Sequence, residues 1–235
     1  MATLKSSADP RTRPEGDEIL DAPDVDPALA RRSLRDIMLA NSLMGGTRAV
    51  MHELEAVVPF LPKRATLLDV GTGMGDIPRR AREVAAGRGI TLDTIGLEAA
   101  EWLAADGRSS TTAAVVGDGR ALPFASHSVD VVICSQVLHH FFEEEAIALV
   151  QELNRVARVR VIISDLLRSD LAVAGLWLFS FVLGFHPVSR RDGIMSIRRG
   201  FSPSELSTIV RAATGAEPQV RQYLGFRVTA AWAPK

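Results

Sequence analysis

The chain has 235 residues, with 27 Lys and Arg against 28 Asp and Glu, giving a formal net charge of −1. That balance argues against a protein built to grip nucleic acid, which needs a strongly basic face. Hydrophobic residues make up 47% and charged residues 23%, enough apolar material for one large soluble domain. The single cysteine, Cys134, excludes an intrachain disulfide and any multi-cysteine metal centre.

Residues 1–25 are polar and rich in turn-formers, and they read as a flexible tail without the apolar core of a secretory signal. From Asp26, a cap followed by Pro27 and the apolar positions Leu29, Leu34, Ile37 and Met38 predict a helix that Gly45-Gly46 breaks. A second helix runs from Thr47 to about Val58 and stops at Pro59, so residues 26–62 form a helical preface. After Lys63 the pattern changes. Apolar runs at 65–70, 90–97, 112–117, 129–134 and 158–164 alternate with helical stretches at 76–88, 99–105 and 143–157. Continuous apolar strands separated by helices imply a parallel sheet covered on both faces, the doubly wound α/β class. Segments 219–224 and 227–232 flank Gly225 and read as a closing antiparallel hairpin, within a main domain of residues 63–235.

The strongest local signal is Leu67-Leu68-Asp69-Val70-Gly71-Thr72-Gly73-Met74-Gly75-Asp76: a strand, an acid, a glycine loop and the start of a helix. Such glycines allow left-handed backbone and let a ligand approach the main chain. A dinucleotide-binding loop would place its third glycine where Asp76 stands, which disfavours a nicotinamide oxidoreductase. Glu98 and Asp118 end the next two apolar runs as Asp69 ends the first. Any one of these acids could be a loop carboxylate or helix cap. Three in register along one sheet edge suit a ligand offering an amino group, a ribose diol and an adenine amino group.

Over residues 65–167 the sequence resembles the class I S-adenosylmethionine-dependent methyltransferases. Besides the glycine loop, the likeness rests on Gly117-Asp118-Gly119-Arg120-Ala121-Leu122-Pro123-Phe124, on Ser128-Val129-Asp130-Val131-Val132, and on Ser135-Gln136-Val137-Leu138-His139-His140-Phe141. It is nearest to the type-11 group, which includes ubiquinone and menaquinone biosynthesis methyltransferases. The resemblance implies a mostly parallel seven-stranded sheet and S-adenosyl-L-methionine as cofactor. It implies that Gly71, Gly73 and Gly75 pass the methionine moiety, with Asp69, Thr72, Ala99, Gly119, Ser135 and Gln136 around the cofactor. Glu98 would hold the ribose hydroxyls and Asp118 the adenine amino group. Segment 36–48 resembles the helical lid that quinone methyltransferases place before the sheet. Glu98 replaces a more frequent Asp, and Arg155 to Val161 lacks the Lys-Pro-Gly-Gly-like turn of the family.

For a hydroxyl acceptor a histidine is a suitable base, its ordinary pKa being ~6.5. His139 and His140 follow the fourth strand, where they either face the acceptor or cap the next helix. Leu171–Phe185 carries Trp177, Phe179, Phe181 and Phe185 and reads as a cover over a greasy acceptor, a buried helix, or a surface for a partner copy or membrane. Arg190, Arg191, Arg198 and Arg199 around Asp192-Gly193 read as a solvated loop, with an acidic substrate group as the alternative. The expected protein is a cytoplasmic enzyme, monomer or homodimer, without a metal or a nucleic-acid partner. It methylates a phenol, quinone precursor or polyketide, at oxygen or alternatively at an activated ring carbon. A cofactor-binding scaffold of the same fold is the rival reading.

Overall fold

Two helices precede the sheet, each begun where the sequence supplies a start signal. In the computed structural model, which describes residues 13–14, 18–19 and 25–234, Asp26 caps helix α1 (Pro27–Leu43) by accepting from the amides of Ala28 and Leu29. Gly45, left-handed at φ 75°, turns the chain into α2 (Gly46–Val57). The core then alternates: β1 (Arg64–Val70), α3 (Asp76–Ala86), β2 (Thr91–Glu98), α4 (Glu101–Gly107), β3 (Ala113–Val116), β4 (Val129–Ser135), α5 (Glu143–Val156) and β5 (Ala157–Leu166). Three consecutive helices follow, α6 (Asp170–Val182), α7 (Pro187–Arg199) and α8 (Pro203–Thr214), before the hairpin β6 (Gln219–Tyr223) and β7 (Arg227–Trp232).

The seven strands lie in the order β3-β2-β1-β4-β5-β7-β6. Strands β1 to β5 are parallel, and β7 runs antiparallel to both β5 and β6. Because side chains alternate across a strand, neighbouring residues serve opposite cores. Leu67, Val131, Ile133 and Ile162 meet Val50, Leu54 and Ala81 from α2 and α3. Leu68, Val132, Cys134, Val161 and Ile163 meet Leu149, Leu153, Leu206 and Val210 from α5 and α8. The reading as an α/β, mostly parallel, seven-stranded sheet therefore agrees with the structure. The register aligns Val70 with Leu97 and Cys134, and Cys134 with Ile163, so the carboxyl ends of four strands open on one edge.

One expectation is corrected. Residues 190–199 are not a loop but belong to α7, which His186 caps by accepting from the Val188 amide, with Pro187 in its first turn. Gly193 does not end this helix. A side chain there would lie 2.9 Å from Leu176, so the glycine lets α7 lie against α6. Asp192 and Arg199 are buried in consequence. Most of the segment read as a flexible tail lies outside the described residues. Of its described members, Arg13 donates to the carbonyls of Arg199 and His139, and Glu18 is buried. No helix among the described residues is long and apolar enough to cross a membrane.

Candidate active site

A cavity of about 920 Å³ occupies the edge where the strands end, large for a single small ligand. Its polar part contains Thr72, Gly73, Asp76, Glu98, Asp118, Ser135 and Gln136. Its apolar part contains Leu34, Ile37 and Met38 of α1, Leu176 and Phe185 from around α6, and Ile197 of α7. Of the residues singled out from sequence, Thr72, Gly73, Glu98, Ala99, Asp118, Gly119, Ser135, Gln136, His139 and His140 line this cavity together with Gly71. Asp69 and Gly75 do not line the cavity.

The glycine loop has its shape for steric reasons. Gly71 is left-handed at φ 73°, and a Cβ there would lie 2.2 Å from Val137 Cγ2. Gly73, at φ 55°, faces open space, and its amide donates to Glu98 Oε2 at 3.2 Å. The other Glu98 oxygen accepts from the Ala99 amide at 2.9 Å, so this acid ties the loop to the end of β2. Asp118 accepts from the Arg120 amide and guanidinium, whose hydrogen bonds hold its carboxyl below the ordinary range. Burial pushes the Asp69 carboxyl up to about 8; a hydrogen bond from Thr72 offsets part of the rise, and the charges of Asp76 and Glu98 add to it.

The fourth strand ends in a 3-10 turn, Leu138–His140, which delivers His139 into the wall. Its Nδ1 lies 2.7 Å from Asp165 Oδ1, and its backbone amide donates to Asp165 Oδ2 at 3.1 Å. Asp165 also accepts from the Leu166 amide. Burial raises the Asp165 carboxyl, but the charge and hydrogen bond of His139 outweigh it and hold the net value below the ordinary range. A carboxylate at Nδ1 fixes the tautomer that leaves Nε2 as the basic nitrogen. The His140 ring lies 4.2 Å from that of His139.

Glu18, His139 and His140 place one donor atom each within 4.8 Å of one another. Glu18 is already engaged by Ser196 Oγ at 2.9 Å and by Arg199 at 3.6 Å, and Arg13 donates to the His139 carbonyl. These guanidiniums disfavour a divalent ion.

Sequence reasoning missed Asp165, Thr47, Asp76 and Arg227 as site residues. Asp165 had a signal: it is the penultimate residue of β5, as Asp69 is of β1. Thr47 donates to Asp76 Oδ2 at 3.0 Å across 29 positions, which no local pattern shows.

Residues 68–163 match a family model described as a methyltransferase domain, type 11. No curated protein matches the chain. Among solved structures, the chain is similar to a magnesium protoporphyrin IX methyltransferase from Synechocystis PCC 6803 with bound S-adenosylhomocysteine, at 16% identity and TM-score 0.56 over 91% of this chain and 90% of that one. It is also similar to a TehB-like methyltransferase from Corynebacterium glutamicum, at 15% identity and TM-score 0.56 over 89% of this chain and 100% of that one. A third likeness is to a methyltransferase from Thermotoga maritima, at 17% identity and TM-score 0.60 over 88% and 99% of the two chains. At such identities the structural likeness establishes the fold.

S-adenosylmethionine is the cofactor of this family, and the residues present fit it. Asp76 and Glu98 line the cavity at the glycine loop, and neither forms an ion pair among the described residues. Ser135 Oγ, also in the cavity wall, is buried without a hydrogen-bond partner there. An acid-rich end with unused acceptors suits a ligand carrying a sulfonium and an ammonium group.

Proposed function

We propose that the chain is a class I S-adenosylmethionine-dependent methyltransferase of the type-11 group and that it methylates a hydroxyl oxygen of a hydrophobic small molecule. The observation that carries this reading is the His139–Asp165 pair, set in the wall of a cavity whose acceptor side is apolar. When bound, the cofactor supplies an electrophilic methyl carbon on sulfur. Gly71 and Gly73 leave room for its aminoacyl portion, Glu98 offers acceptors to the ribose diol, and Asp118 keeps lone pairs for the adenine amino group. His139 Nε2 removes the hydroxyl proton, and Asp165 stabilises the imidazolium that results. Leu34, Ile37, Leu176, Phe185 and Ile197 hold the acceptor and exclude water.

In this reading α1 is a lid. Its Asp36 accepts from the His186 amide and Ser189 Oγ, which ties the lid to the entry of α7. Segment 168–200 is the cover on the other side. The outer face of α6 exposes Leu171, Trp177, Leu178, Phe179, Phe181 and Val182, each more than half exposed. Arg32 donates to the Gly184 carbonyl, and the Arg190 guanidinium lies 3.5 Å over the Phe181 ring. Aromatic and aliphatic side chains edged by guanidiniums support contact with an anionic membrane surface, from which an apolar acceptor would enter.

The test is a screen of phenols and alkyl alcohols with methyl-labelled cofactor, followed by NMR of the product. A methyl ether is expected. A product labelled on carbon, or His139→Gln with unchanged turnover on a true acceptor, would overturn the assignment.

A further inference from the structure

β7 begins with Arg227, an arginine only 3% exposed and part of the cavity lining. It forms no ion pair among the described residues. Its Nη2 donates to the neutral Asn41 Oδ1 at 3.0 Å, and its Nη1 makes long contacts, 3.3 and 3.5 Å, to the Phe226 and Gly225 carbonyls. Its Nε has no hydrogen-bond partner. Asp165 is the carboxylate whose charge acts on it, but the Asp165 oxygens are taken up by His139 and the Leu166 amide. Burial pulls the guanidinium down to about 10, so it is still charged at neutral pH. A buried cation without a directly paired carboxylate is costly, and the cost falls when an anion joins it.

A second, independent feature meets it there. The amino end of α2, a 12-residue helix, begins at left-handed Gly45 with no side-chain cap and no acid in its first turn. Its first amides and dipole favour negative charge, beside the Thr47 hydroxyl that already donates to Asp76. The two features converge at Gly46, where a Cβ would lie 3.2 Å from Arg227 Nε and 3.4 Å from Gln136 Nε2. The glycine keeps this corner open between hydrogen-bond donors, a guanidinium and an amide, and Thr47 carries the same helix end to the cavity surface.

We infer that Arg227, Gln136 and the amino end of α2 form a carboxylate-binding subsite. A planar carboxylate matches a guanidinium edge that presents Nε, with the helix amides and the Gln136 amide as further donors. The inference rests on reading this cavity as the methyl-transfer site. There the carboxylate has two sources, the aminoacyl group of the cofactor or an acid group on the acceptor.

Calorimetric titration separates them without requiring turnover. The ligands are S-adenosylhomocysteine, 5′-methylthioadenosine, which lacks the aminoacyl carboxylate, and, on protein saturated with S-adenosylhomocysteine, benzoate against neutral benzamide. Arg227→Gln and Gln136→Leu are compared with the wild type. Gln136→Leu leaves the buried arginine in place and so guards against a variant that does not fold. If the cofactor supplies the carboxylate, both substitutions weaken S-adenosylhomocysteine about tenfold or more and spare 5′-methylthioadenosine. If the acceptor supplies it, benzoate binds the wild type more tightly than benzamide, and the substitutions abolish that preference alone. Equal effects on charged and uncharged ligands, or no effect on any, overturn the subsite. Intact carboxylate binding in a protein that fails to methylate any hydroxyl would defeat the proposed function and leave the subsite standing.

Discussion

His139 and Asp165 test the chemistry one side chain at a time. If Nε2 takes the acceptor's proton, His139→Gln should lower kcat by about 10²-fold or more while leaving S-adenosylhomocysteine affinity near the wild-type value. Asp165→Asn can still accept at Nδ1 but cannot stabilise an imidazolium, so it should lower kcat and shift the acidic limb of the pH–rate profile. A merely structural pair would leave that limb in place. Asp69 makes a separate prediction about stability. Its folded value of about 8 exceeds the ordinary 3.8, so the folded chain holds a proton that the unfolded chain releases between those limits. Stability contributed by the protonated carboxyl is therefore full below about pH 4 and is lost as pH rises through 8. Asp69→Asn, which cannot ionise, should melt higher than the wild type at pH 8, by ~2–4 °C for each kcal/mol recovered, and show no such gain at pH 4. Parallel melting curves across that range would mean that Asp69 titrates normally.

At the scale of elements, the glycine loop is the place to separate packing from binding. Gly71→Ala puts a Cβ against Val137 and demands left-handed backbone from alanine. It should cost 1–3 kcal/mol of stability and weaken cofactor binding. Adding Val137→Ala should recover the part due to the clash but not the part due to the backbone, and a full recovery would assign the whole loss to Val137. This loop, the seven strands and the acids at or just past the ends of β1 to β3 were legible because each rests on a local pattern: an apolar run, a turn residue, an acid near a strand end. The helix α7 was not. His186 and Pro187 mark its start, but Arg190-Arg191-Asp192-Gly193 reads locally as a turn, and contact with α6 and the Asp36–Ser189 bond accompany the helix there. The role of Arg227 was hidden likewise, since an arginine before Val228 and Thr229 has no meaning until β7 lies against β5 and its side chain reaches Asn41, 186 positions away.

For the molecule as a whole, the distribution of apolar surface matters more than its amount. Monomeric soluble proteins rarely leave a large contiguous apolar patch open, yet α6 buries only Ala172, Leu176 and Ser180 and turns the rest of its surface outward. Packing cannot explain that face, because the inward stripe already completes the cluster formed with Phe185 and Ile197. The exposed side chains also lie outside the cavity lining, where α6 contributes only Leu176. Membrane contact and cofactor binding can therefore be separated by substitution. The protein should float with vesicles of phosphatidylcholine containing phosphatidylglycerol, more weakly with phosphatidylcholine alone, and less as salt screens Arg32 and Arg190. The double variant Leu178→Glu with Val182→Glu should stay at the bottom of the gradient while binding S-adenosylhomocysteine as the wild type does. If the wild type ignores both vesicles, and light scattering shows a dimer that the double variant splits, the outer face of α6 joins two copies of the chain instead, and the acceptor reaches the cavity from water.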